Sequence, residues 1–139
     1  MIRPIVRSQM MLRVASEPAV VGSTEDEATG QDLLDTLSAH EHECVGMAAN
    51  MIGRRRRIIV VADGSRQLLM YNPQILERSG EYQTEEGCLS LDGTRPCTRW
   101  RHIKVRYFDA AWREQTRSFS GYTAEIIQHE IDHCDGVII

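Results

Sequence analysis

No apolar run in this 139-residue chain approaches the roughly 20 residues that span a bilayer, so no membrane-crossing helix is expected. A basic excess is lacking too. Lys and Arg number 16 against 20 Asp and Glu, for a net charge of −4, and no direct nucleic-acid surface is implied. The first sixteen residues contain no continuous apolar stretch of the kind a secretory signal needs, because Arg3, Arg7 and Arg13 break them into short pieces. Acids are absent from the same stretch, a trait of organelle transit peptides, but Pro4 opposes the helix such a peptide forms. Cysteine is scarce: Cys44, Cys88, Cys97 and Cys134. Four could form two disulfides. Without a secretory signal, however, a reducing cytoplasm is the expected setting, and there cysteines in polar motifs point to metal or catalysis. No internal repeat or low-complexity linker is present.

What is there reads as one ordinary globular domain over residues 1–139, with 42% hydrophobic and 26% charged residues. A domain of this size buries roughly 68% of the surface its unfolded chain exposes, enough for a core without disulfides. The first ordered helix is expected near Thr24. There Thr24 and Glu27 form a capping-box pattern, and Leu33, Leu34 and Leu37 recur on one face. Cys44 to Gly53 is small and apolar, suited to a tight buried turn or to close approach of the backbone to a ligand. Arg54 to Arg57 reads as a solvated connector rather than a phosphate or RNA contact, since no aromatic interleaving follows.

Ile58 to Ala62 is β-branched and reads as a buried strand, followed by a turn at Asp63-Gly64. Leu68 to Tyr71 reads as a second strand, interrupted by Asn72-Pro73 and resumed at Ile75 and Leu76. Ile103 to Phe108 and Gln115 to Ser120 read as two strands joined through Asp109 to Arg113. Tyr122 to about His133 reads as a helix, with Gly136 just past its end as a cap. The expected fold is α+β: mainly antiparallel sheets packed around a C-terminal helix.

That last helix carries the chemistry, in Gln128-His129-Glu130-Ile131-Asp132-His133. Residues four apart stack on one helix face, so His129 and His133 can bind one ion. Glu130 is offset enough to stay off the ion yet near enough to act as a general base. Tyr122 and Ile126 extend the same face, and unpaired imidazoles there would cost on the order of 1–3 kcal/mol each. Catalytic sites of this type hold three protein ligands and one open position. Six residues follow His133, and Cys134 and Asp135 are too close to reach the ion, so the third ligand is expected from upstream. Cys88, in Glu85-Glu86-Gly87-Cys88-Leu89-Ser90, is the best candidate; Cys97 is the alternative, and Cys44 reads as a small buried residue.

Together, Glu86-Gly87-Cys88-Leu89-Ser90 and Gln128-His129-Glu130-Ile131-Asp132-His133 resemble the second and third signature motifs of peptide deformylases, and Gly46-Met47-Ala48-Ala49 resembles part of the first. Order and spacing fit over nearly the whole chain. The resemblance implies a hydrolase that removes the formyl group from the initiator methionine of new proteins. It implies one divalent ion, Fe(II) by expectation, with Zn(II), Ni(II) or Co(II) also suited to the donors. Cys88, His129 and His133 would be its ligands and Glu130 the acid/base, with the N–H of Leu89 at the oxyanion. Val45, Gly46, Tyr122 and Ile126 would line the methionine pocket, and Arg95 would meet the peptide backbone. The implied partners are formylated N-terminal peptides of nascent chains, with the ribosome as a further candidate.

Three departures stand out. The family's first-motif glutamine, an oxyanion donor, is replaced by Met51, preceded by Asn50. The first glycine of that motif is Cys44, and the C-terminal extension of many members is missing. Loss of one oxyanion donor costs on the order of 10² to 10³ in rate. Three readings of Met51 stay open at this point: Asn50 or a water supplies the bond, the enzyme is slow or shifted in substrate, or the chain binds metal without catalysis. The competing classes are a protein with a structural metal, which needs a fourth protein ligand, and a zincin-type endopeptidase.

Overall fold

Ile58, Ile59, Val60 and Val61 are all fully buried, which places their strand at the centre of the protein. Ile59 and Val61 pack on one side with Ile126, Ile127 and Ile131, while Ile58 and Val60 pack on the other with Leu33 and Leu37. A continuous apolar run is what a strand needs when both faces are covered. This computed structural model describes residues 1–138; Ile139, the last residue of the expected domain, lies outside them.

The elements in order are α1 (Gln9–Leu12), α2 (Thr24–Ala39), β1 (Gly46–Ala48), a 3₁₀ turn (Ala49–Ile52), β2 (Ile58–Asp63), β3 (Arg66–Cys88), β4 (Leu91–Phe108), β5 (Glu114–Ser120) and α3 (Gly121–Cys134). The strands form one sheet in the order β1-β2-β3-β4-β5, every neighbouring pair antiparallel. α3 lies against one face and α2 against the other. The expected α+β class with antiparallel pairing and a C-terminal helix is what the protein has. No helix among the described residues is long and apolar enough to cross a membrane.

Several expectations need correction. A one-turn helix, α1, precedes α2; Ser8 caps it by accepting from Met11 N, and Leu12 is fully buried. The cap of α2 is Ser23, not Thr24: its hydroxyl accepts from Asp26 N at 3.2 Å. Both residues suit the role, and the extended backbone of Ser23 (φ −67°, ψ 120°) decides it. Asn72-Pro73 does not break the second strand. Asn72 takes a left-handed φ of 52°, the register shifts between Tyr71 and Gln74, and the strand runs on to Cys88. The side chain of Asn72 holds the arm before α2, accepting from Ala19 N at 2.7 Å and donating to Ala19 O at 3.0 Å. The arginine run is partly tied down: Arg56 meets Asp26 at 3.5 Å and Arg57 meets Asp135 at 2.7 Å.

The two-stranded arm from Glu81 to Cys88 on β3 and from Leu91 to Trp100 on β4 is not among the expected elements. Its residues are mostly polar on both faces, so the alternation that marks a half-buried strand is missing. This arm carries Cys88 to the end of α3.

Replacing Ser23 by alanine is expected to lower stability by about 1 kcal/mol, while Thr24→Ala changes little. Urea unfolding of the two variants checks this, and a larger loss for Thr24→Ala would return the cap to Thr24.

Candidate metal centre

α3 begins after Ser120, whose extended backbone (φ −143°, ψ 169°) opens the helix. One side of the helix is anchored by Ala124, Ile127 and Ile131 in the core. The adjoining face buries His129, Glu130 and His133, at 7%, 4% and 0% exposure. The tip of the β3–β4 arm reaches that face. The Cys88 sulfur lies 3.3 Å from His133 Nε2, and the ligand atoms of Cys88, His129 and His133 all lie within 4.8 Å of one another. An ion with bonds of about 2.0–2.3 Å holds tetrahedral ligands about 3.5 Å apart, so these donors are spaced for one. Among the described residues this is the group so arranged. Cys97, the alternative, is half-buried farther up β4, and Cys134 is buried in the core beside β2. All four cysteines are free thiols.

The charges around the cluster also suit a cation. The Nδ1–H of His129 donates to Glu86 Oε1 at 2.8 Å, which turns Nε2 toward the cluster. Burial opposes charge on His129, but its hydrogen bonds with Cys88 and Glu86 prevail and lift it to about 10. Burial, reinforced by the charges of His129 and Arg99, pushes His133 down to about 3. The Glu86 carboxylate behind His129 favours positive charge at this point, and His133 stays a neutral imidazole able to give Nε2 to an ion. His133 Nδ1 and Glu130 Oε1 are buried without a protein partner. Burial pushes the Glu130 carboxyl up to about 7, with His129 opposing.

Glu86 is a functional residue whose role the sequence did not disclose, although it stands in the quoted motif. It accepts from Arg99 Nη2 at 2.7 Å and Nε at 3.0 Å, and Arg99 Nη1 donates to Asp132 Oδ2 at 2.7 Å. Arg99 and Glu86 are nearly buried. Burial alone would raise the Glu86 carboxyl, but hydrogen bonds from His129 and Arg99 hold it well below the usual carboxylate range. A clue did exist: Asp132 follows His129 by three, so the two share a helix face that a Glu86–Arg99 pair on neighbouring strands can meet.

A cavity of about 310 Å³ opens onto Cys88, His129 and Glu130. Its walls include Val45, Gly46, Leu89 and Ile126, with Tyr122 at the rim, 64% exposed. Leu89 and Ser90 form the turn between β3 and β4. Arg95 stands outside the cavity wall, opposite Glu86 in the β3–β4 pairing. Gly46 has a steric reason: a Cβ there would meet Ile126 Cγ2 at 2.6 Å and Glu130 Oε2 at 2.9 Å. Cys44 is half-buried and lines the cavity, its thiol donating to Gly46 O at 2.8 Å, so it is not simply a core residue. Met51 is buried in the wall, with its sulfur accepting from Ala48 N at 3.5 Å. Asn50 does not stand in for the missing glutamine: its amide nitrogen donates to His133 O at 2.8 Å, outside the cavity wall.

Arg99→Met leaves the buried Glu86 carboxylate with His129 as its remaining charged partner and is expected to cost about 3–5 kcal/mol near neutral pH. The folded Glu86 titrates below its ordinary 4.5, so its stabilising contribution is present above that pH and fades as the solution is acidified through it. The difference between native and variant proteins in urea unfolding should therefore narrow below pH 4.5. A gap independent of pH would show that Arg99 acts through packing alone.

The family model described as polypeptide deformylase matches residues 2–139. A peptide deformylase of Clostridium beijerinckii is 45% identical over 139 residues, covering all of both chains. One from Cytophaga hutchinsonii is 35% identical, covering 99% of this chain and 80% of its own. Among solved structures, the peptide deformylase of Thermotoga maritima superposes with a TM-score of 0.87 at 30% identity, covering 99% of this chain and 94% of its own. The class I type b enzyme of Acinetobacter baumannii, solved with Met-Ala-Ser bound, gives 0.89 at 27% identity, with 99% and 97% covered. A match to the family model over all but the first residue, on a fold that brings a cysteine and two histidines to one buried point, places this chain in the polypeptide deformylase family.

Proposed function

We propose that this chain removes the N-formyl group from the N-terminal formylmethionine of newly made polypeptides. In this reading Cys88, His129 and His133 hold one divalent ion and Glu130 is the acid/base. The observation that carries it is Glu130: a buried carboxyl with one unpaired oxygen, lining the same cavity as Cys88 and next in sequence to His129. When bound, the ion polarises the formyl oxygen and makes water a nucleophile near neutral pH. Glu130 takes a proton from the water that adds to the formyl carbon. It returns that proton to the methionine α-nitrogen as the bond from that nitrogen to the formyl carbon breaks, releasing formate and a free N-terminal amine. The N–H of Leu89 donates to the developing oxyanion.

Val45, Gly46, Tyr122 and Ile126 take the methionine side chain, and Arg95 meets the peptide backbone. The Met-Ala-Ser complex of the Acinetobacter relative supports a peptide of this kind as ligand. A formyl carbon carries only hydrogen as its second substituent, so a narrow site admits it and rejects bulkier acyl groups. Fe(II) is the ion we expect; Zn(II), Ni(II) and Co(II) suit the same donors. The setting is the cytoplasm, where formylated chains leave the ribosome, and the unit is a single domain over residues 1–139. A structural metal is disfavoured because the Cys-His-His group opens onto a cavity rather than being closed by a fourth ligand.

Glu130→Ala is expected to abolish formate release from formyl-Met-Ala-Ser while keeping the metal, measured by formate detection and metal analysis on anaerobically purified protein. Full turnover in that variant would remove the general-base role. Met51→Gln restores a donor to the cavity wall and should raise kcat, by up to the ~10²-fold that one oxyanion donor is worth. An unchanged or lower kcat would count against the oxyanion argument.

A further inference from the structure

His133 presents an accounting problem that Glu86 solves for His129. A histidine that gives Nε2 to an ion carries its proton on Nδ1, and that N–H needs an acceptor to fix the ring. For His129 the acceptor is Glu86 at 2.8 Å. His133 is fully buried, and its Nδ1 has no partner in the protein. One other buried side-chain oxygen is stranded on a residue bonded to His133: Asn50 Oδ1. Asn50 sits on the Ala49–Ile52 turn, is 4% exposed, and donates through Nδ2 to His133 O at 2.8 Å. That carbonyl already accepts from Gly136 N at 3.0 Å, so it does not depend on Asn50 for satisfaction. A donor and an acceptor, both buried and both unused, therefore stand on two residues already tied together. Leaving such groups unpaired costs on the order of 1–3 kcal/mol each.

We infer that Asn50 is a positioning residue for the metal centre: its amide oxygen accepts the Nδ1–H of His133 through one bridging water, and so holds the ring with Nε2 toward Cys88. The inference rests on the metal-binding reading above. It gives the two histidines parallel supports, a carboxylate from the β3–β4 arm and an amide from the turn after β1. It also gives the residue before Met51 a role separate from the oxyanion.

The test compares the full-length native chain with Asn50→Leu, which removes donor and acceptor at similar size, and Asn50→Asp, which keeps an acceptor. Zinc affinity is read by chelator competition, and the His133 ring by ¹H–¹⁵N NMR of the zinc-loaded protein. Asn50→Leu should weaken zinc binding about 10- to 100-fold, with Asn50→Asp within a few-fold of native. The Nδ1–H of His133 should be slow to exchange in the native protein and exchange fast in Asn50→Leu. Equal zinc affinity in native and Asn50→Leu chains overturns the role of Asn50 alone, as does equal loss in both variants. If Asn50→Leu does not fold, a freely exchanging His133 Nδ1–H in native protein overturns it. A native chain that binds no zinc sinks the metal-binding reading, and this inference with it.

Discussion

The Glu86 carboxylate ties three parts of the molecule together. It stands on β3 two residues before Cys88, accepts from Arg99 on the paired strand β4, and accepts the ring proton of His129 on α3. Arg99 in turn reaches Asp132 on α3, so the arm is fastened to the helix at two points. A nearly buried carboxylate shared by a guanidinium and an imidazole is costly to desolvate and costly to disrupt. That makes the relation between arm and helix a discrete one, and the position of the Cys88 sulfur follows from it.

The same arrangement explains how a helix face can bury a histidine pair and a glutamate. The opposite side of α3 is apolar and packs on β2, β4 and β5 through Ile127, Ile131 and Ala124, and this packing supports the polar side. Glu86 satisfies His129; Glu130 is left without a partner for one oxygen, and burial raises its carboxyl toward neutrality. Gly46 lets β1 approach Glu130 closely enough that a methyl group would collide with it. Polar groups that are incompletely satisfied inside a well-packed shell are how a fold keeps a reactive site ready at modest cost to stability.

Met51 and Asn50 are adjacent yet belong to different environments. Met51 faces the cavity and Asn50 faces the end of α3, because the 3₁₀ turn rotates successive side chains by about a third of a circle. The amide that a sequence reader would move one place to repair the missing glutamine is committed to His133. The cavity wall therefore carries a thioether at the position where the motif resemblance leads one to expect an amide.

The sequence alone determined the elements whose period is unambiguous. The leucines of α2, the β-branched run of β2 and the His129–His133 pair on α3 follow from local spacing, and the motif order pointed to the family and to Cys88, His129 and His133, which the fold brings together. It did not determine the polar arm from Glu81 to Trp100, since a two-stranded ribbon with both faces wet has no hydrophobic period to read. Nor could it tell that Asn72-Pro73 would bend a strand rather than end it, or that Ser23 rather than Thr24 would cap α2. Both outcomes depend on backbone angles that neighbouring segments impose. The roles of Glu86, Arg99 and Asn50 were decided by tertiary structure alone, because a buried polar group is defined by the partner that reaches it, and those partners lie 13 to 83 residues away in the chain.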